Sequence, residues 1–267
     1  MRRACLLIAG VAACGGKSAP KPVEEPKISA KPITRVPIED DSEPEQGVQI
    51  INARGHMERE AIDAGLAPHT AELSDCYTTK LNKRRWLGGH VALHWDISKD
   101  GTITSVKLAE SDLGAWPIEK CLLEVARSAD FGKPVGGDAD FLLPLDFSAK
   151  GQPVIWDEEQ GLRAVGGQLA KLDACDKPPK PPKAPPKPKK ADPKKEPAKQ
   201  KFVVPNDVTI TVYVGPQGKA HSVGFSSATS EIVDEWAECA EKAALAWRLP
   251  DPRGQVAKLA VRYRTQQ

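Results

Sequence analysis

The chain has 267 residues, with 38 Lys+Arg against 36 Asp+Glu and a formal net charge of +2 at pH 7. A balance this near neutrality does not by itself imply a nucleic-acid partner. A content of 40% hydrophobic and 5% aromatic residues suits two small domains of about 100 residues each plus solvated chain.

At the N-terminus, Met1-Arg2-Arg3 is basic, Ala4 to Ala13 is apolar, and Val11-Ala12-Ala13-Cys14-Gly15 follows. The apolar run is too short to span a bilayer as a helix and reads as a secretory signal. Small residues before Cys14 resemble the bacterial lipoprotein signal, so residues 1–13 are expected to be removed and Cys14 lipidated. Gly15, where aspartate would resemble an inner-membrane retention signal, favours the outer membrane, facing the periplasm or the cell surface. Residues 14–55 carry six prolines from Pro20 to Pro44 and no aromatic side chain, too little apolar surface to offset ordering entropy. They read as a disordered tether, with Gln46 to Asn52 a candidate short strand.

Residues 56–150 read as the first domain. Ile62, Leu66, Leu73, Tyr77 and Leu81 recur at helical spacing, interrupted near Ala67 by Pro68. Val91, Leu93, Trp95 and Ile97 alternate as one face of a strand, Asp100-Gly101 marks a hairpin, and Thr102 to Leu108 is extended. Ile118, Cys121, Leu122 and Val125 line one stripe of a helix, and Phe141 to Phe147 is a last strand. A right-handed crossover places that strand beside the first, in sheet order 2-1-3.

The same blocks return in residues 151–267: a helix from Trp156 to Ala174 (Leu162, Val165, Leu169 and Leu172 apolar), strands Val208 to Val214 and Lys219 to Phe225, a helix carrying Cys239, and a strand Val256 to Arg264. In both copies the second cysteine lies ten residues before the apolar residue that closes its helix. The chain therefore reads as a duplicated α+β domain, two αββαβ modules. The second carries a Lys/Pro-rich insertion, 177–201, expected to be a semi-rigid basic excursion.

Cys76, Cys121, Cys175 and Cys239 remain once Cys5 and Cys14 are set aside. Their places in the repeat favour Cys76–Cys121 and Cys175–Cys239 disulfides in an exported chain; a metal or redox pair lacks the necessary C-x-x-C spacing. No G-x-S-x-G, P-loop or dinucleotide fingerprint occurs. His90 and His94 share a strand face without a metal-ligating pattern. No catalytic residue, metal or cofactor is expected, and the chain is not read as an enzyme. The insertion is either a solvated spacer or a polycation for anionic envelope material, and no aromatics interleave its lysines for base stacking.

Cys76-Tyr77, the Gly89-x-Val91-x-Leu93-x-Trp95-x-Ile97 run, Asp100-Gly101, Cys121 and Phe131-x-x-Pro134 resemble the AgmX/PglI C-terminal domain, a relative of the TonB C-terminal domain. The match covers about residues 57 to 148, with a weaker one over 156 to 265. The resemblance implies periplasmic modules that bind partners, in TonB itself by strand addition. The expected function is a non-catalytic cell-envelope binding or scaffold lipoprotein; the alternative is an accessory of an envelope motor, gliding-motility or transport complex. Expected partners are an envelope protein or peptidoglycan, met at a strand edge or by the insertion, and the membrane through the lipid, with no nucleic acid. The third-strand edge of the second module, with Lys258, Val261, Arg262 and Arg264, is the expected docking edge, because Pro144 removes a donor from the first.

Overall fold

The computed structural model describes residues 55–178 and 202–265; the signal, Cys14, the tether with Gln46 to Asn52, and insertion residues 179–201 lie outside them. In chain order the elements are α1 (Arg59–Leu66), α2 (Thr70–Leu81), β1 (Gly89–Ile97), β2 (Ile103–Ser111), α3 (Trp116–Arg127), β3 (Ala139–Phe147), β4 (Val154–Ile155), α4 (Glu158–Val165), β5 (Val208–Val214), β6 (Ala220–Ser226), α5 (Asp234–Leu245) and β7 (Ala257–Tyr263).

Pro68 separates α1 from α2 through a short 3-10 turn, as its missing N–H and ring clash require. β1 pairs antiparallel with β2 and with β3, in order β2-β1-β3. Val91, Leu93, Trp95 and Ile97 form a buried row against α3. Trp95 stacks on Phe141, centroids 5.0 Å apart, and its indole N–H donates to the Ala126 carbonyl at 2.9 Å. The α2–α3 contact brings Cys76 and Cys121 into a disulfide, Cα atoms 5.6 Å apart.

The C-terminal half repeats the order β6-β5-β7 and adds a strand, giving β4-β7-β5-β6. Cys175 and Cys239 form the second disulfide, again with Cα atoms 5.6 Å apart. Asp176 accepts the Trp236 indole N–H at 2.9 Å, while Phe202 and Val204 pack against the core, so the insertion departs from and rejoins the C-terminal half.

The expected long helix from Trp156 to Ala174 is shorter. Gly166 at φ +49 ends α4 and the chain continues as a 3-10 helix over Gly166–Ala174. Leu162, expected to be apolar core, is 46% exposed, whereas Val165 and Leu172 are buried. Val154–Ile155, ahead of this helix, forms β4, parallel to Ala257 and Lys258 of β7. The helices over β1 and β5 end at Arg127 and Leu245, before the closing Phe131 and Leu249, whose side chains are nevertheless buried.

The halves are not separate bodies on a linker: one cluster of buried apolar side chains runs through both.

Candidate functional site

The register of the second sheet sorts its side chains onto two faces. Ile210, Val212, Val223, Phe225, Leu259 and Val261 form the core side. The other side carries Thr209, Thr211, Tyr213, Ser222, Gly224, Ser226, Lys258, Ala260 and Arg262. Most of these are small or hydroxylic, so backbone can approach closely, and the N-terminal half docks there through residues 111–115 and 84–88.

At the centre of this contact is Glu119 of α3, 0% exposed. Its Oε1 accepts from Ser111 Oγ at 2.7 Å and the Gly114 N–H at 3.2 Å. Its Oε2 accepts the Phe225 N–H of β6 at 2.8 Å. A Cβ on Gly224 would stand 2.3 Å from that carboxylate, so only glycine fits. Burial pushes the Glu119 carboxyl up to about 7, against the opposing pull of its hydrogen bonds. On the other edge, the Val106 N–H donates to Glu231 Oε1 at 2.8 Å and the Ser227 N–H to the Leu108 carbonyl at 2.8 Å. Lys120 bridges Asp234 at 2.9 Å and Glu238 at 3.0 Å, two partners that hold its ammonium above the usual lysine range.

Tyr213 closes the far side. Its hydroxyl donates to the Gly88 carbonyl at 2.7 Å, its ring lies 4.7 Å from that of Trp86, and burial pushes its phenol above the ordinary range. Lys258 reaches Asp112 at 3.0 Å and the Gly88 carbonyl at 3.2 Å, 5.5 Å above the Tyr213 ring.

Where the halves diverge, two grooves share Asp112, Thr209 and Arg262. One, about 710 Å³, runs along β7 between Ile155, Trp156 and Glu158 on one wall and Asp112 and Lys258 on the other. The second, about 490 Å³, lies between His90, Glu110, Asp207 and Ser227.

The four residues expected at the docking edge therefore divide. Lys258 is not a free edge charge: its side chain, 11% exposed, belongs to the contact between halves. Val261 is core. Arg262 and Arg264 are exposed, and Arg262 lines both grooves. The edge itself is partly occupied: Trp156 N–H donates to the Lys258 carbonyl at 2.9 Å and Val154 N–H to that of Val256 at 2.8 Å. These bonds turn Val256 and Lys258 outward, and strand alternation turns Ala260 and Arg262 outward with them. Val261 faces β5 instead, so a proline there would break the sheet rather than test its edge. In the first sheet, the bonds between His90 and Asp112 turn even-numbered β1 residues toward β2, which leaves even-numbered β3 residues, Pro144 included, facing outward. The missing donor thus blunts that edge, as expected from its sequence.

His90 and His94 do share a face, each paired across to β3, with Asp146 at 3.0 Å and Asp140 at 3.1 Å. Among the described residues no group of three or more His, Cys, Asp or Glu is placed to hold a metal ion, and no helix is long and apolar enough to cross a membrane. Sequence reasoning missed Glu119, which reads as one more acidic residue in a helix; the Gly224 and Ser226 pattern on an otherwise apolar strand was the one available signal. Comparison with protein-family models, curated proteins and solved structures finds no match.

Proposed function

We propose that the protein is a non-catalytic lipoprotein of the cell envelope, two TonB-C-like modules locked into one binding body and tethered through lipidated Cys14. The observation that carries the binding role is the groove along β7, whose floor includes the outward backbone of Ala260 and Arg262 and whose mouth holds the exposed Arg262 guanidinium. Such a floor suits an extended peptide that adds to a strand edge, and Arg262 with Arg264 beyond it suits an acidic one. The repeated order of elements and the two disulfides, one in each half, support the duplicated-module reading. The basic and apolar residues before Cys14 support the anchor.

A photo-crosslinking residue at position 260, which leaves Arg262 in place, read in intact envelopes, tests the groove; Arg59, exposed on α1, is the control position. A discrete adduct from position 260 that is absent from position 59 and lost on Arg264→Glu is the expected result. Equal adducts from both positions would overturn the groove as the binding site. For the anchor, Cys14→Ser is expected to release the chain into the soluble fraction, because stable anchoring takes two or more acyl chains. Retention of the variant after a high-salt wash would overturn it.

A further inference from the structure

We infer that the peptide taken by the β7 groove carries an apolar and an acidic side chain four residues apart. The inference rests on that groove being the binding site and adds what the groove selects. β4 pairs parallel with β7, Ile155 opposite Lys258. Directly paired strand residues share a face. Ile155 therefore stands with Lys258, Ala260 and Arg262 on the side of the sheet turned away from its core, and all four line the groove.

Two of these side chains are open to a partner. Ile155 is 66% exposed, the most exposed of the large apolar side chains among the described residues. A single exposed isoleucine ordinarily says little, but this one opens into a groove. It also lies on the outermost strand of its sheet, where charge or proline is the usual guard. Arg262 is exposed, with Thr209 opposite it on β5. The other charges of the groove have a partner or a structural place. Asp112 and Lys258 pair at 3.0 Å, and Glu158 lies in the first turn of α4, where a helix favours a carboxylate. Arg262 has no ion pair among the described residues, and a guanidinium selects a carboxylate.

Register gives the spacing. Ile155 lies level with Lys258, and Arg262 is four residues further along β7, a rise of about 13 Å. An extended peptide laid along β7 turns every second side chain toward the sheet. Its residues i, i+2 and i+4 then fall level with Ile155, Ala260 and Arg262. An apolar side chain at one end covers the isoleucine, and a carboxylate at the other meets the guanidinium. The middle level offers only the methyl group of Ala260 and selects no charge. A peptide with its apolar and acidic residues two apart can satisfy one end or the other, never both.

Two blocked synthetic peptides of identical composition test the spacing on the purified full chain. One has the core Leu-Ser-Ala-Ser-Glu and the other Ser-Leu-Ala-Glu-Ser, each offered in both chain directions and followed by NMR shifts of the Ile155 and Ala260 amides. The first core, in one direction, is expected to bind at least tenfold tighter than the second in either. Ile155→Ser should abolish that preference, while Ile155→Leu keeps it. Leu162→Ser, which alters an exposed apolar side chain of α4 away from the groove, should also keep it. Equal affinity for the two cores, no binding of either, or a preference that survives Ile155→Ser would overturn the inference. A partner adduct at position 260 that persists in Ile155→Ser would leave the groove as the binding site and remove only the apolar requirement. An adduct there to a second copy of this chain, or to a polymer that is not a peptide, would overturn the inference as well.

Discussion

Glu119 Oε2 accepts the Phe225 N–H at 2.8 Å, so a carboxylate from α3 of the N-terminal half ends the ladder of β6, the outermost strand of the C-terminal half. The Val106 N–H is met in the same way by Glu231 of the C-terminal half. Open strand edges invite pairing with other chains. Here each half supplies a glutamate to an edge of the other, and the two sheets are protected only while they stay docked.

Removing the first of these carboxylates should therefore loosen both halves. Glu119→Ala leaves the Phe225 and Gly114 N–H groups buried without an acceptor, at roughly 1–3 kcal/mol each. The expected result is a urea midpoint lowered by that order, with the C-terminal half most affected. Unchanged stability would mean that water replaces the carboxylate.

The same group carries a pH dependence. Burial raises the folded-state Glu119 value from 4.5 to about 7, so between those values the folded chain holds a proton that the unfolded chain has released. Its contribution is fully present below about 4.5 and is lost as pH rises through about 7, a swing on the order of 3 kcal/mol. Glu119→Gln cannot titrate. Urea midpoints at pH 4.5, 6 and 7.5 should show a wild-type decline that the variant lacks, and parallel profiles would refute the assignment.

Two glycines separate close approach from mere helix weakening. A Cβ at Gly224 would meet the Glu119 carboxylate at 2.3 Å and the Ala115 nitrogen at 2.6 Å, whereas at Gly161 the nearest atoms are 3.5 Å away. Gly224→Ala is expected to destabilise by about 1–3 kcal/mol through forced displacement of the docked loop. Gly161→Ala, inside α4, should stabilise by about 0.5–1 kcal/mol. Thermal melts of the two variants check the opposite signs.

The disulfides close loops of 45 and 64 residues, each stabilising by about 4 kcal/mol in the chain-entropy account. Cys175→Ser with Cys239→Ser should cost that order, with the C-terminal half opening first in hydrogen exchange. A loss under about 1 kcal/mol would mean that packing alone holds the Asp176 region against Trp236.

Much of this architecture could be read along the chain because it is local. Alternation in β1 and β5, Pro68 between helices, and the place of each cysteine in its repeat are decided within a few residues. What could not be read is what the halves do to each other. Thr211, Ser222, Gly224 and Ser226 look like the solvent face of an ordinary half-buried strand, yet Thr211, Ser222 and Ser226 are buried beneath the other half. β4 has two residues and no alternation to betray it. Lys258 looked like an edge charge because strand position says which face a residue occupies, not what arrives to cover that face.

Lys258 and Arg262 separate a docking role from a binding role on one strand face. Lys258 is held by Asp112, the Gly88 carbonyl and the Tyr213 ring, so Lys258→Met removes an ion pair to a solvent-exposed carboxylate and one of the two donors to the Gly88 carbonyl, which keeps the Tyr213 hydroxyl. A loss of about 0.5–1.5 kcal/mol is expected. Arg262 is exposed and has no ion pair among the described residues, and Arg262→Met should stay within about 0.5 kcal/mol of wild type. Partner capture should move the other way. Adducts from a photo-crosslinking residue at position 260 should fall at least tenfold in Arg262→Met, while Lys258→Met, measured under conditions where it remains folded, keeps them. Reversed outcomes, with Lys258→Met fully stable but unable to capture, would make Lys258 a partner contact and remove it from the joint between the halves.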